Sequence, residues 1–241
     1  MTLRVTFLGH ATVVIELDGA RLLTDPVLGR RVGHLRRHGP QPPLPERLDA
    51  VLVSHAHADH LDVRSLRRLG DATVITTAAG AAHLRRRRMT ATVLRAGDAV
   101  RVGAVSVMAV PARHDGRRLP IGRPAEAIGF RIEGSRTVYF AGDTELFGEM
   151  ADVGAGVDLA MLPVAGWGPT LGAGHMGPAA AARAAALIRP VTAMPIHWGS
   201  LAQIGSPAPS RQPATAFVRE LERRAPYVRA LVLDPGQAAE L

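Results

Sequence analysis

Three histidines and an aspartate fall within six residues, directly after an apolar run of the chain. The run is Ala50–Ser54, and the donors after it are His55, His57, Asp59 and His60. In extended backbone, residues i and i+2 point the same way, so His55 and His57 can hold one ion together. Asp59 and His60 are adjacent and diverge, so they can serve a second ion. Imidazole and carboxylate favour zinc, with iron or manganese as alternatives, whereas a solvated polar loop explains this placement less well.

Two ions need more ligands than this cluster supplies, and three further donors follow hydrophobic runs elsewhere. His114 comes just after a strand-like run, and Asp143 and His197 each end one. Loops at one edge of a sheet converge on a common site. Taken singly, each residue is also compatible with a structural role in the core or in a loop. Their joint placement with the histidine cluster predicts a metal centre at a sheet edge.

Strand-like and helix-like runs alternate along the chain, which is typical of an α/β fold. Gly29–Pro45 is expected to be an irregular loop, since glycine, proline, arginine and histidine crowd there. Helices are predicted at Asp62–Leu69, Ala78–Arg88, Glu145–Met150, Pro178–Ile188 and Pro213–Arg224. Strands are predicted at Leu3–Leu8, Thr12–Leu17, Arg21–Thr24, Ala50–Ser54, Thr73–Thr76, Val105–Val110, Ala127–Glu133, Thr137–Ala141, Asp158–Val164, Val191–Ile196 and Ala230–Leu233.

Six short motifs occur in the order found in metallo-β-lactamase-fold hydrolases, which the chain resembles over nearly its whole length. The order matches the branch containing N-acyl-phosphatidylethanolamine phospholipase D, with L-ascorbate-6-phosphate lactonase as a more distant relative. The resemblance implies one α/β domain over residues 1–241, folded as a four-layer αββα sandwich. It leaves the substrate open, because one scaffold hosts many chemistries. The motifs are Leu8–Glu16, Leu23–Pro26, Ser54–Asp62, Ala141–Thr144, His175–Pro178 and Ile196–Gly199.

The resemblance also implies a division of seven donors between two metal ions. Asp25 and His10 lie in matching motifs and would orient the ligands, although His10 is equally compatible with a purely structural role. His175 matches a histidine of the substrate pocket. The glycine-rich segment Trp167–Gly174 before it departs from the phospholipase pattern and would shape a different pocket. The implied ligands are His55, His57 and His114 for one ion, Asp59, His60 and His197 for the other, and Asp143 as the bridge.

This site predicts a metal-dependent hydrolase. Two cations ~3.5–4 Å apart lower the pKa of a bridging water from about 15.7 to about 7. Asp59 would orient the resulting hydroxide, and His175 would stabilise an oxyanion or protonate a leaving group. Hydrolysis of a phosphodiester is the first expectation, and hydrolysis of a lactone or other ester is the alternative. A metal-bound binding or sensing protein without catalysis is the alternative from another class.

Composition limits the class of protein. The chain has 241 residues, of which 47% are hydrophobic, enough for one substantial core. It contains no cysteine, which excludes disulfides and thiolate ligands. Neither a signal-peptide pattern nor an apolar stretch long enough to span a bilayer is present in the sequence. We therefore expect a cytoplasmic protein.

The formal net charge of the chain is +8, and its positive charge comes from arginine alone, since all 29 basic residues are Arg. Arg suits phosphate or carboxylate, although a bias in the coding sequence would enrich Arg as well. Aromatic residues make up only 4% of the chain, which argues against specific binding of nucleic acid. The expected partner is a small anionic substrate. We expect four arginines around His114 to attract this substrate, namely Arg113, Arg117, Arg118 and Arg123.

Overall fold

The computed structural model describes residues 2–118, 123–168 and 170–241. Pro169 of the glycine-rich segment therefore lies outside the described residues. The helices are α1 (Val63–Arg68), α2 (Ala78–Arg85), α3 (Met150–Val153), α4 (Pro178–Ile188) and α5 (Gln212–Arg224). The strands are β1 (Arg4–Gly9), β2 (Thr12–Leu17), β3 (Ala20–Thr24), β4 (Arg31–Val32), β5 (Leu35–Arg37), β6 (Ala50–Val53), β7 (Thr73–Thr76), β8 (Thr92–Val93), β9 (Ala99–Val102), β10 (Val105–Pro111), β11 (Ile128–Glu133), β12 (Thr137–Phe140), β13 (Leu159–Pro163), β14 (Thr192–Ile196), β15 (Leu201–Gln203), β16 (Arg229–Ala230) and β17 (Ala238–Glu240).

Two large mixed sheets hold most of the strands. The first has the order β17-β1-β2-β3-β6-β7-β8, and the second has the order β16-β14-β13-β12-β11-β10-β9. Each sheet is antiparallel on one side and parallel on the other. Helices connect the parallel strands, except for β3 and β6, which are joined through β4 and β5. A small third sheet joins β15, β5 and β4.

The two large sheets pack face to face because their strands carry apolar side chains on both sides. In β6, Ala50 and Leu52 belong to the core between the sheets, whereas Val51 and Val53 face the opposite way into a second apolar cluster. Side chains alternate between the faces of a strand. A continuous apolar run such as β6 therefore indicates a strand that is covered on both sides.

Helices cover the outer face of each sheet. Leu66 of α1 and Leu84 of α2 pack on the outer face of the first sheet. Helices α4 and α5 lie against β13 and β14 of the second. Proline opens α4 at its first turn, and Arg189 ends it in a left-handed conformation. The result is the expected metallo-β-lactamase type of α/β fold, with two sheets between outer layers of helix.

Two local predictions were wrong in kind, and the strand predicted at Ala230–Leu233 is observed only as β16. The segment Gly29–Pro45 contains the strands β4 and β5, which form because β5 pairs with the distant β15. The helix expected at Glu145–Met150 begins only at Met150, since the amide of Glu145 is bonded to the carbonyl of Arg113 and this segment runs as a loop. Among the described residues, no helix is long and apolar enough to cross a membrane.

Candidate metal centre

Each predicted donor lies in a loop that follows a strand. His55 follows β6, His114 lies three residues beyond β10, Asp143 three beyond β12, and His197 directly after β14. Because β6 lies parallel to β7, and β12 and β14 both lie parallel to β13, each sheet presents its loops at the carboxyl ends of its strands. The structure brings all four loops together at one end of the sandwich.

Three residues at this end adopt a backbone conformation that side chains disfavour. Asp25, His10 and His197 have φ angles of 33°, 59° and 65°. Such strain persists only where the surroundings impose it, and it is typical of functional sites. Here the amide of His197 donates to the carbonyl of His10 at 2.7 Å, which ties the two loops to each other.

One group of donors consists of three histidines. His114 Nε2 lies 3.1 Å from His57 Nδ1, and the ring of His55 lies 4.6 Å from that of His57 and 4.7 Å from that of His114. One ligand nitrogen from each of the three falls within the range of a common ion. This is the first set that the sequence predicts.

A second group contains the predicted set of Asp59, His60 and His197, and it adds His10. His60 Nε2 lies 3.1 Å from His197 Nε2, and Asp59 Oδ2 lies 3.5 Å from each of these nitrogens. His10 Nε2 approaches the same oxygen at 3.0 Å. His10 is therefore within reach of an ion in this group, which the sequence did not indicate.

Asp143 lies between the two groups. Its Oδ2 is 3.0 Å from His60 Nε2 and 4.0 Å from His55 Nε2, and its Oδ1 is 3.2 Å from His197 Nε2. One carboxylate thus reaches histidines of both groups. His175 also approaches it, with 3.3 Å between His175 Nε2 and Asp143 Oδ2.

A hydrogen-bond chain orients two of the imidazoles from behind. His55 Nδ1 lies 2.9 Å from Ser54 Oγ, which donates to Asp25 Oδ2 at 2.7 Å. The same carboxylate oxygen is 2.7 Å from His60 Nδ1, and the amide of Ser54 donates to Asp25 Oδ1 at 2.7 Å. With Nδ1–H donated outward, the Nε2 lone pairs of both rings face the centre.

Backbone carbonyls orient two other imidazole rings of the centre. Ala165 accepts from His197 Nδ1 at 2.6 Å, and Gly174 accepts from His114 Nδ1 at 2.9 Å. The glycine at 174 is required, since its φ is +75° and a Cβ there would lie 2.9 Å from His114 Nδ1. Sequence reasoning missed these partners because any residue type supplies a carbonyl.

The electrostatics favour ionised carboxylates and mostly neutral imidazoles. Burial lowers the pKa of His55 well below its usual range and that of His114 to about 4. Although burial opposes it, the surrounding histidines hold the pKa of Asp59 and Asp143 well below normal. Burial also opposes charge on His60, yet the neighbouring carboxylates raise its pKa. These carboxylates thus attract positive charge, which a proton or a metal ion can supply.

The residues fit a metal ion. Among the described residues, His55 Nε2 and Asp143 Oδ1 are buried and make no hydrogen bond, although His197 Nε2 lies 3.2 Å from Asp143 Oδ1. Such atoms are costly unless another group satisfies them. Zinc–nitrogen distances of about 2.0–2.1 Å in a tetrahedron place ligand atoms about 3.3 Å apart. The two closest imidazole pairs, each at 3.1 Å, have this spacing.

The arginines around His114 are mostly engaged elsewhere. Arg113 donates to Glu149 at 3.0 Å, and Arg117 pairs with Asp115 at 2.8 Å. Arg118 donates to the carbonyls of Ala56 and Leu61 at 3.1 and 2.7 Å, so it braces the loop that carries the histidine cluster. Arg123 is exposed. The arginines therefore support substrate attraction less than their sequence positions suggested.

Comparison with known proteins agrees with the fold. A family model described as a β-lactamase superfamily domain matches residues 20–198. A UPF0173 metal-dependent hydrolase from Opitutus terrae is 33% identical over 99% of this chain and 100% of its own length. Fold and match define a protein of the metallo-β-lactamase superfamily. The chain belongs to the UPF0173 metal-dependent hydrolase family within it.

Solved structures show the same fold at lower identity. Igni18, a metallo hydrolase from Ignicoccus hospitalis, is 24% identical, with 100% of this chain and 99% of that chain covered and a TM-score of 0.75. CmlA, a diiron β-hydroxylase from Streptomyces venezuelae, is 20% identical, with 100% of this chain and 53% of that chain covered and a TM-score of 0.70.

Proposed function

We propose that this metal-dependent hydrolase is dinuclear and acts on a small molecule. The observation that supports this most is the position of Asp143, whose carboxylate reaches histidines of both donor groups. When bound, two divalent ions would supply a water nucleophile that is ionised near neutral pH. We assign His55, His57 and His114 to one ion, Asp59, His60 and His197 to the other, and Asp143 to both. The donor types favour zinc, with iron and manganese as alternatives.

Asp59 and His175 have separate tasks in this proposal. Asp59 lies at the edge of the second group, where His10 bonds its Oδ2, and it would orient the attacking water. Although burial opposes the charge, the hydrogen bond to Asp143 raises the pKa of His175. The carbonyls of Gly172 and Ala173 lie 3.1 and 3.0 Å from His175 Nδ1. His175 would thus hold a proton close to the reacting bond and deliver it to the leaving group.

The surroundings of the centre bear on the substrate class. A cavity of about 460 Å³ lies near it. Its lining residues include Ala165, whose carbonyl accepts from His197 Nδ1, and Trp198, the residue after His197. Its other lining residues include Trp167, Leu171 and Leu201, and none of the described lining residues is charged. Such a cavity suits an uncharged part of a substrate.

We therefore place an ester or lactone ahead of a phosphodiester. The phosphodiester rested on the arginines around His114, and three of these are already bonded within the protein. A phosphodiester remains the second candidate, because metal ions attract an anionic reacting group without further cations. Kinship with the phospholipase branch, a single domain over residues 1–241 and a cytoplasmic location remain proposals from the sequence.

The test combines metal analysis with a substrate panel on the same preparation. Protein purified after growth with zinc, iron and manganese should hold close to two ions per chain. Asp143→Ala should lose both, whereas His114→Ala should keep the ion of the second group. Lactones, soluble phosphodiesters and phospholipid vesicles are then compared at equal metal loading. Protein without metal would overturn the proposal, and metal without turnover of any substrate would favour a binding or sensing role.

A further inference from the structure

A basic cleft lies outside the proposed metal centre and shares no donor residue with it. The cleft encloses about 590 Å³, within the range of small-molecule sites. One wall is the hairpin of β4 and β5 with the residues before it, and the other is α1. Its charged lining residues are Arg30, Arg31, Arg36, Arg64 and Arg68 together with a single carboxylate, Asp62.

The carboxylate is already used by the protein. Asp62 is buried at the start of α1, where its Oδ2 accepts from the amide and the hydroxyl of Ser65 at 3.1 and 2.6 Å. Its Oδ1 accepts from the amide of Arg64 at 3.3 Å. Ser65 Oγ in turn accepts from the amide of Leu28 at 2.7 Å. Asp62 therefore holds the base of the cleft together and does not pair with the guanidinium groups.

The guanidinium groups have almost no protein partners. In the described part of the chain, the side chains of Arg30, Arg31, Arg36 and Arg64 make no ion pair and no hydrogen bond, and all four residues are exposed. Arg68 makes one long hydrogen bond of 3.5 Å to a backbone carbonyl. This contrasts with the arginines near the metal centre, most of which are bonded.

Each wall of the cleft also carries a pair of like charges at a destabilising spacing. Arg31 and Arg36 are directly opposite in the β4–β5 pair, where like charges repel. Arg64 and Arg68 are four residues apart on α1, where like charges again repel. Two independent elements thus each place a repelling pair of arginines at the same cleft. A bound anion between the walls would relieve both.

We propose that this cleft is a second binding site, for a soluble small molecule that carries phosphate groups. Phosphate matches the planar fork of arginine in geometry and charge. The concave shape between two walls favours a compact ligand over a flat membrane surface. The site needs no metal, so it stands apart from the proposed hydrolysis. It also gives a role to arginines that the metal centre does not use.

Calorimetric titration with inorganic pyrophosphate tests the site in the metal-loaded protein, with metal content checked afterwards. The test variant is Arg36→Gln with Arg64→Gln, which removes one charge from each wall. The matched control is Arg85→Gln with Arg86→Gln, which removes the same charge from another exposed arginine run. We expect the test variant to lose about tenfold or more in affinity. The control should change by less than about twofold.

Thermal unfolding provides a second readout. Without ligand, the test variant should be at least as stable as the natural protein, since the repulsion is relieved. With pyrophosphate, the melting temperature of the natural protein and of the control should rise more than that of the test variant. Equal binding by all three proteins would overturn the proposal, because binding would then not depend on the arginines of the cleft. Equal loss in both variants would also overturn it and indicate general surface charge. Phosphatidylserine vesicles are titrated in the same way. Binding to the vesicles without binding to pyrophosphate would overturn the proposal of a soluble ligand and indicate a membrane surface instead.

Discussion

Asp25 Oδ2 lies 2.7 Å from His60 Nδ1, and both residues are completely buried. The same carboxylate accepts a hydrogen bond from the hydroxyl of Ser54, and this hydroxyl orients His55. One aspartate that is too far back to touch an ion therefore directs a histidine of each donor group. Its effect on metal binding should be large, because partners behind the ligands fix ring orientation and tautomer.

Asp25→Asn should reduce metal affinity about 10–100-fold while the fold is retained. The new amide nitrogen cannot accept from His60 or from Ser54. Competitive titration against a chelator of known affinity measures the change. Asp49→Asn is the matched control, since Asp49 also accepts a backbone amide, that of Arg21, but lies away from the site. Equal affinity in both variants would mean that Asp25 does not orient the ligands.

His175→Ala should retain both metals and lose roughly 10²- to 10⁴-fold in turnover, the range for a positioned proton donor. Metal analysis and steady-state kinetics on the same sample separate the two effects. His34→Ala is the control, because His34 is an exposed histidine that lies against Trp167 at the neighbouring cavity. Loss of metal in His175→Ala would make His175 a ligand, and unchanged turnover would make it structural.

Gly142→Ala should destabilise the protein and weaken metal binding together. Gly142 has a φ of +61°, and a Cβ there would lie 2.7 Å from Ser54 Cβ, within the chain that orients His55. Strain and overpacking of this kind cost about 1–3 kcal/mol. In a chain of this size each kcal/mol lowers the melting temperature by about 2–4 °C.

Gly19→Ala separates the two causes. Gly19 has a φ of +83°, but a Cβ there would have no atom within 4 Å, so its substitution brings strain without a clash. It should lower the melting temperature less and leave metal affinity unchanged. Similar losses of metal affinity in both variants would show that the contact with Ser54 is unimportant.

His83 should make stability fall as the solution becomes acidic. Burial, reinforced by Arg118, Arg87 and Arg86, lowers its pKa to about 4. In the unfolded chain a histidine has a pKa of about 6.5. Between these values the unfolded chain binds a proton that the folded chain does not, so the free energy of unfolding decreases as the pH falls.

His83→Gln removes this contribution. The melting temperature of the variant should therefore decline less than that of the natural protein between about pH 7 and pH 4. Unfolding curves recorded at several pH values on both proteins provide the measurement. Parallel declines would show that His83 takes up its proton equally in the folded and unfolded chains.

The fold and the donor types could be read from local sequence. Apolar runs such as Ala50–Val53 identify buried strands because both of their faces are covered. The helix Pro178–Ile188 has the predicted bounds, since proline starts it and its alanines favour it. The donors could be recognised because strand ends are where loops collect. These features depend on neighbours within a few residues, which the sequence displays directly.

Only the tertiary structure decided which distant groups meet. His10 reaches Asp59 across 49 residues, and β5 exists because β15 pairs with it from the other end of the chain. The arginines could not be assigned from sequence either. Arg118 donates to a backbone carbonyl of the histidine loop, whereas Arg36 and Arg64 line opposite walls of the basic cleft. Residue type specifies what a side chain can bind, but its partner is determined by the packing of elements far apart in sequence.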